Sequence, residues 1–181
     1  MENKSIKLIS TGIILSGAVL FLLNSCKSIP THVKPVKPFV LEKYLGKWYE
    51  IARIDFKFER NLNNVTATYS MKENGMVKVD NKGYDYKKAE WKNSIGKAKF
   101  VKDENEGMLK VSFFGPFYAG YNVIAIDDAY KYALVAGDNY NYLWILSREK
   151  TIPENIKQSY LTIAKNSGYD VNRLLYVEHN Q

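Results

Sequence analysis

Gly46-Lys47-Trp48-Tyr49-Glu50-Ile51-Ala52-Arg53 is the stretch of the sequence that says most about the fold. We interpret it as a β-strand, whose side chains alternate between two faces. If Trp48 points into the protein, then Glu50, Ala52 and Ile54 are expected to point inward with it. A carboxylate inside an apolar core is costly unless it is hydrogen-bonded or paired. We therefore expect Glu50 to belong to a buried polar network with Tyr49, Arg53 or ordered water, or else to face the cavity as a polar contact for a ligand head group.

Further strands are predicted on the carboxyl-terminal side of this stretch. Apolar and polar residues alternate in four segments, as they do in strands with one face in water: 65–71, 77–80, 97–100 and 109–113. Three later segments are apolar on both faces, so something must cover their outer side: 121–126, 132–136 and 142–146. Turn signals separate these strands at 73–75 and 105–107.

One helix is predicted to supply that cover. In 154–167, Ile156, Tyr160, Ile163 and Ala164 recur at helical spacing, with a proline ahead and a glycine behind. A short final strand at 174–178 is expected to pair near the first strand. The prediction is an all-β fold, an eight-stranded antiparallel up-and-down β-barrel with one C-terminal α-helix packed on its outside. The alternation pattern alone leaves a β-sandwich open.

The amino terminus reads as an export signal. Two lysines precede an apolar run over 8–23, and small residues precede Cys26. Leu23-Asn24-Ser25-Cys26 resembles the lipobox of bacterial lipoproteins, in which the signal is cut before the cysteine and the cysteine is acylated. Polar residues interrupt the run, which argues against the alternative of an uncleaved membrane anchor. Cys26 is the single cysteine, so an intramolecular disulfide cannot form.

These features divide the chain into three parts. We predict a lipoprotein signal peptide over 1–25, the lipidated cysteine and a tether over 26–40, and the barrel domain over 41–181. The tether contains three of the five prolines of the chain, together with three lysines. Proline disfavours helices and central strands, so we expect an extended segment that gives the barrel reach from the membrane.

Charge and histidine content limit the kinds of function. The net charge of +7 is spread over strands and tether, without a nucleic-acid-binding motif, so nucleic acid is not an expected partner. The basic surface is either simply solvated or attracted to anionic lipid headgroups. The two histidines, His32 and His179, lie outside the predicted barrel strands. We therefore expect no catalytic residues, no metal site and no cofactor.

Five motifs carry a resemblance to a known family. They are the Gly46-x-Trp48-Tyr49 motif with its Glu-Ile-Ala-Arg continuation, and the segments 58–60, 65–70, 111–118 and 142–148. From about Leu41 to Glu178 the chain resembles the bacterial outer-membrane lipocalins, relatives of apolipoprotein D and the plant temperature-induced lipocalins. The resemblance implies a structural signature of Gly46, Trp48, Tyr49 and Arg148, in which the arginine covers the tryptophan ring at the closed end of the barrel.

Strand parity and the resemblance together predict a set of residues that line a ligand cavity. They are mostly apolar with a few polar groups, as is usual for a pocket that binds a hydrophobic ligand with one polar end. Plain core packing is the alternative for each of them. The predicted ligand-binding residues are Ala67, Tyr69, Val79, Asn81, Phe100, Val111, Phe113, Ile124, Val135, Trp144 and Leu146.

An aromatic loop follows one of these strands. In 113–121, Gly115 and Pro116 predict a turn that leaves Phe117 and Tyr118 at its tip. One interpretation is that this tip simply folds over the barrel rim. The alternatives are that it caps the cavity, contacts a membrane or forms a homodimer contact.

The resemblance implies a carrier of a fatty acid, lysophospholipid or similar amphiphile, used in lipid storage, transport or scavenging at the cell envelope. The alternative is an envelope interaction protein whose barrel is filled by its own side chains and whose loops bind a protein partner. We predict an outer-membrane lipoprotein, attached to the membrane through acylated Cys26. An aspartate directly after the acylated cysteine can retain lipoproteins at an inner membrane. Here that residue is Lys27, which favours the outer membrane in a cell with two membranes. The barrel faces either the periplasm or the cell surface.

Overall fold

The computed structural model of the chain describes residues 28–180. The predicted signal peptide and Cys26 lie outside the described residues. The elements, in chain order, are α1 (Leu41–Tyr44), β1 (Gly46–Ile54), β2 (Leu62–Met71), β3 (Val77–Asp85), β4 (Glu90–Phe100), β5 (Met108–Ser112), β6 (Ala119–Ile126), β7 (Tyr132–Ala136), β8 (Leu143–Ser147), α2 (Glu154–Asn166), a 3-10 turn (Val171–Arg173) and β9 (Leu174–Tyr176).

The strands form a closed antiparallel barrel. Each strand from β2 to β7 pairs with the next one along the chain, and β1 joins β8 to β2. This confirms the predicted eight-stranded up-and-down barrel. Strand β1 is shared, because its residues 46–49 pair with β2 whereas Ala52–Ile54 pair with β9. The predicted return of a short final strand to the first strand is therefore also confirmed.

The two ends of the barrel differ. Helix α1 lies at the end where β1 begins, together with the loops 72–76, 101–107 and 127–131. We call this the closed end. The loops 55–61, 86–89, 113–118 and 137–142 surround the opposite end, which we call the open end.

Helix α2 packs on the outside of the late strands, as predicted. Tyr160 and Ala164 of α2 belong to one buried cluster with Leu134, Leu143 and Ile145 of β7 and β8. Full burial of one leucine or isoleucine side chain contributes about 1.5–3 kcal/mol, so this outer cluster is a substantial part of the core. It explains why these strands are apolar on both faces. The inner faces of the strands form a second, inner cluster inside the barrel.

Two β-bulges change which residues point inward. Between Glu50 and Ala52, β1 shifts its register against β8, which places Ala52 and Ile54 in the outer cluster. The prediction that these two residues follow Trp48 inward is therefore wrong. Arg53 points inward instead, opposite Trp144. A bulge adds one residue to a strand, and the alternation of its side chains reverses beyond that point.

The second bulge lies in β6, between Val123 and Ala125. Val123 belongs to the inner cluster, whereas Ile124 belongs to the outer cluster beside helix α2. Ile124 is one of the predicted cavity residues. The structure corrects this placement: Ile124 follows the inward Val123 and therefore faces outward, and the bulge keeps Ala125 on the same outer side.

The segment predicted to be an extended tether packs along the barrel over its described residues. Val33 and Phe39 are buried, and the backbone of Val36 exchanges hydrogen bonds with Gly107 and Val123. The first described residue of the segment is Ser28, whose carbonyl oxygen accepts a hydrogen bond of 2.8 Å from the Asn122 side chain. Residues 28–40 therefore do not supply the expected reach.

Among residues 28–180, no helix is long and apolar enough to span a membrane.

Candidate functional site

The closed end is sealed by Trp48 and Arg148. The guanidinium carbon of Arg148 lies 3.8 Å from the centre of the Trp48 ring, the geometry that the family resemblance implies. Cation-π pairs of this kind contribute about 0.5–2 kcal/mol. Arg148 also donates to four carbonyl oxygens of 43–47 at 2.8–3.1 Å, and Trp48 Nε1 donates to Tyr44 O at 2.8 Å. With every polar group engaged in closure, this pair has a structural role.

Gly46 is needed at this end for two reasons. Its φ of +94° lies in the region that favours glycine, and a Cβ built on it would lie 3.3 Å from Nη1 of Arg148. Tyr49, the other member of the predicted signature, points outward, where its ring contacts His179 and Lys47. The signature therefore builds the barrel and does not line the interior, Trp48 excepted.

Three tyrosines link the inner faces of the barrel near its closed end. The hydroxyl of Tyr121 is hydrogen-bonded to that of Tyr44 at 2.6 Å and to that of Tyr69 at 2.7 Å. Burial raises the pKa of all three phenols, so they stay neutral in ordinary conditions. These three residues border a void of about 10 Å³ whose other lining residues are Leu41, Val77, Val79, Ala98, Leu109 and Val111.

Charged residues enter the interior nearer the open end. Arg53 Nη1 donates to Glu50 Oε1 at 2.8 Å, and both side chains are almost fully buried. Nη2 of Arg53 donates to the carbonyl oxygen of Glu59 at 2.7 Å. The Glu59 carboxylate in turn accepts a hydrogen bond of 3.0 Å from Trp144 Nε1. The network thus ties the loop 55–61 to the inner faces of β1 and β8, and it confirms that Glu50 lies near Arg53.

Burial decides the protonation tendency of the two glutamates. It raises the pKa of Glu50 well above its usual value; the nearby Glu59 adds to the rise and Arg53 opposes it. Burial also raises the pKa of Glu59, against the effect of its hydrogen bond from Trp144. The carboxylates of Glu50, Asp55 and Glu59 therefore share the single guanidinium of Arg53, and ionising both buried glutamates is unfavourable.

Aromatic rings surround this network at the open end. The Phe56 ring lies 5.2 Å from the Tyr142 ring and 5.8 Å from the Trp144 ring, both edge to face. Tyr142 and Trp144 stack at 6.1 Å. Offset and edge-to-face ring pairs of this kind are favourable. The open half of the interior therefore combines apolar rings with a buried charged group.

The structure brings ten of the eleven predicted cavity residues to the inner face. Tyr69, Val79, Val135 and Leu146 are part of the inner cluster, and Ala67, Phe100, Val111, Phe113 and Trp144 pack against it. Asn81 lies opposite Ala67 in the sheet. Ile124 is the exception described above.

Sequence reasoning missed four residues of the interior. Arg53 was hidden by the bulge, and Glu59 lies in a loop to which strand parity does not apply. Tyr44 precedes the first strand, so its inward position depends on how α1 folds across the closed end. The sequence did contain a signal for Tyr121. Leu109, on the apolar face of its strand, pairs with Tyr121, and paired residues lie on the same face of the sheet.

Within residues 28–180, no three His, Cys, Asp or Glu side chains come together in a way that could hold a metal ion.

A closed eight-stranded antiparallel barrel with one outer helix is an architecture whose interior can hold one small ligand. Residues 39–179 match the family model described as a lipocalin-like domain. The chain belongs to the lipocalin family.

The relatives make the resemblance more specific. Outer membrane lipoprotein Blc of Vibrio cholerae is 50% identical over 158 residues, which cover 87% of this chain and 92% of that protein. The protein of the same name from Escherichia coli K12 is 47% identical over 168 residues, with coverages of 92% and 95%. Apolipoprotein D of Rattus norvegicus is 34% identical over 141 residues, with coverages of 74% and 71%. These matches confirm the predicted resemblance and the predicted address as an outer-membrane lipoprotein.

Solved structures support the fold independently. The cockroach allergen Per a 4 superposes with a TM-score of 0.65 at 21% identity, covering 84% of this chain and 95% of that one. At this identity the likeness concerns the fold alone.

Proposed function

We propose that this lipocalin is a membrane-attached carrier that binds an amphiphile with a single acyl chain, a fatty acid or a lysophospholipid, inside its barrel. Its role is lipid storage, transport or scavenging at the cell envelope, without catalysis. The observation that carries the proposal is the amphiphilic interior, in which apolar side chains fill the closed half and the Glu50, Arg53 and Glu59 group lies in the open half.

The buried polar groups are the strongest support. Buried charges are costly. If the interior served stability alone, apolar residues at these positions would make the barrel equally stable. In addition, Asn81 Oδ1 is buried without a hydrogen-bond partner among the described residues. An unpaired amide oxygen inside a barrel is a ready acceptor for a ligand hydroxyl or ammonium group.

Accessibility along the inner face also supports a ligand site. Ala67, Val111, Phe113 and Trp144 face the interior and still retain accessible surface, whereas Trp48 at the closed end is fully buried. Space for a ligand is therefore expected between the middle of the barrel and the open end.

The alternative function is an envelope interaction protein with a filled barrel. The small void of about 10 Å³ beside the three tyrosines favours it, because ligand pockets usually measure about 300–1,000 Å³. The two functions differ in one measurable property, since a filled barrel takes up no lipid.

Trp144 provides the test of the carrier function. Palmitate or a lysophosphatidylethanolamine is titrated into delipidated protein while the indole emission is recorded. We expect a saturable quench or shift that disappears in Trp144→Phe and persists in Trp48→Phe and Trp91→Phe. The absence of saturable change, together with no retention of radiolabelled lipid, would establish the filled-barrel alternative.

A second variant locates the ligand. Ala67 lies on the inner face opposite Trp48 and Asn81, so Ala67→Trp adds volume inside the barrel. We expect uptake to be abolished at a stability cost of about 1–3 kcal/mol. Undiminished lipid binding by this variant would place the lipid on the outer surface or at a dimer seam.

A further inference from the structure

A groove lies on the outer wall of the barrel, where β1 parts from β2. Residues 46–49 of β1 pair with β2, whereas Ala52–Ile54 pair with β9. The segment that follows β9 enters the gap, because the carbonyl oxygen of Glu178 accepts a hydrogen bond of 2.8 Å from the backbone N–H of Asn64. Between this carboxyl-terminal segment and the strands β1 to β4 remains a groove of about 280 Å³.

The groove collects basic side chains from four parts of the chain, and we call it the basic groove. Lys47 comes from β1 and Lys82 from β3. Lys150 comes from the loop after β8, and His179 from the carboxyl-terminal segment. Among the described residues that line the groove, no side chain is acidic. Like charges that are brought together repel each other, and an anion bound between them relieves the repulsion.

His179 shows that the basic groove is electropositive. Its ring lies edge to face with the Tyr49 ring at 5.4 Å, and its Nε2 is hydrogen-bonded to the carbonyl oxygen of Glu50 at 2.7 Å. Burial lowers the pKa of His179, and Lys150 and Lys47 lower it further, against the effect of the hydrogen bond. The charged side chains that act on this ring are thus both cationic. An anion in the groove would oppose their effect.

The uncharged side chains of the basic groove suit a small polar molecule. Trp91 is 47% exposed, although Lys82 Nζ lies 4.4 Å from the centre of its ring. The indole therefore still offers apolar surface to the carbon skeleton of a ligand. Thr66 and Tyr49 add hydroxyl groups that can form hydrogen bonds. Ligand pockets usually measure about 300–1,000 Å³, so the groove has room for a ligand at the small end of this range.

The type of cation favours phosphate as the anion. Arginine matches planar carboxylates with two parallel hydrogen bonds, whereas lysine binds phosphate as a point charge. Three lysines around one groove therefore favour a compact, doubly charged phosphate group over a carboxylate. The groove lies on the outer wall, so this reasoning is independent of what the barrel interior binds.

We propose that the basic groove binds a small, soluble phosphate monoester such as a sugar phosphate. The phosphate group lies among Lys47, Lys82 and Lys150, beside His179. The organic part lies against the exposed surface of the Trp91 ring.

The two histidines of the chain allow the proposal to be tested by NMR. Glucosyl phosphate is titrated into the protein at about pH 8, where the ester is a dianion because its second pKa is about 6. We expect a saturable movement of the ring signals of His179, and a rise in the pKa of His179 when the ligand is saturating. His32, in the segment 28–40, is the internal control and is expected to show neither change.

Two double variants test whether the lysines of the basic groove are responsible. We expect Lys47→Gln/Lys82→Gln to bind glucosyl phosphate about tenfold more weakly, since partly exposed charge contacts are individually modest. The matched control is Lys99→Gln/Lys110→Gln, which removes the same charge from two lysines that lie 5.3 and 5.5 Å from the centre of the Tyr118 ring. Equal weakening in both variants, at unchanged melting temperatures, would overturn the site, because it would indicate a general attraction of anions to a basic protein.

Further ligands separate the possible sources of the phosphate. We expect inorganic phosphate to bind more weakly than glucosyl phosphate, glucose to leave the His179 signals in place, and Trp91→Leu to abolish the difference between the two phosphates. Inorganic phosphate that binds the parent as tightly as the ester would overturn the organic part of the proposal. If vesicles that contain phosphatidate move the His179 signals and glucosyl phosphate does not, the ligand is a lipid headgroup and the soluble ester is refuted.

Discussion

Glu59 connects a surface loop to the barrel interior through a single carboxylate. Its carboxylate accepts a hydrogen bond from the indole N–H of Trp144, and its backbone carbonyl oxygen accepts a hydrogen bond from the Arg53 guanidinium. The raised pKa of Glu59 reflects the burial that these contacts require. At the scale of one residue, the structure therefore couples proton binding to the position of the loop 55–61.

This coupling predicts how stability depends on pH. The folded protein keeps the Glu59 proton above the usual glutamate pKa of about 4.3, where the unfolded chain releases it. The free energy of unfolding therefore falls as the pH rises from that value to the raised pKa, and this contribution is constant above it. Glu50 acts in the same direction.

Glu59→Gln removes the contribution of Glu59, and its amide oxygen can still accept from Trp144. We expect the melting temperature of the variant to decline less than that of the parent as the pH rises above the usual glutamate pKa. Thermal unfolding measured over this range checks the expectation, with the exposed Glu73→Gln as control. Parallel curves for parent and variant would contradict it.

Trp48 is predicted to matter for stability and not for the choice of ligand. It is fully buried beneath Arg148. Trp48→Ala should cost about 3–5 kcal/mol, a large share of the 5–15 kcal/mol or so that stabilises a domain. Denaturant unfolding measures this loss, and a lipid panel should show unchanged preferences below the transition. A variant that unfolds like the parent but loses all lipids would show that Trp48 contacts ligand.

Single elements show how far the sequence could predict the structure. Alternation identified strands such as β3 and β5 because no bulge interrupts them, and helical spacing identified α2. It failed at Ile124, because β6 is apolar on both faces and parity cannot tell its inner side from its outer side. It failed at Ala52, because a bulge depends on how neighbouring strands twist and leaves no distinct mark in the sequence. For the same reason Arg53 was absent from the predicted interior. The prolines of 28–40 correctly excluded regular structure, but the packing of this segment depends on Gly107 and Gly120, far along the chain.

Gly120 therefore offers a test at the scale of an element. A valine here would overlap the Ser28 carbonyl oxygen and push the start of the segment away from β6. We expect Gly120→Val to increase the rate of proteolysis within 28–36 at least fivefold, with a much smaller change in the melting temperature of the barrel. Ala119→Val, on the exposed neighbouring position, is the control. Equal protection in both variants would show that the segment is held by its other contacts.

The barrel is expected to fold independently of the predicted lipid anchor. All strands of the barrel and the outer helix lie within the described residues, after Cys26. We expect Cys26→Ala, once exported and released, to be a soluble and folded barrel. Membrane fractionation and circular dichroism check this. If the variant resists salt extraction from membranes, the amino terminus is an uncleaved signal anchor.

The sharing of β1 between partners has a consequence for the order of assembly during export. Arg53 pairs with Trp144 on one side and Leu175 on the other, and the backbone of Asn64 donates to Glu178. The strand made first is thus completed by segments that leave the ribosome long afterwards. Contacts between distant parts of a chain form slowly. The polypeptide is therefore expected to stay open and threadable until its late segments are made, as passage through a narrow translocation channel requires.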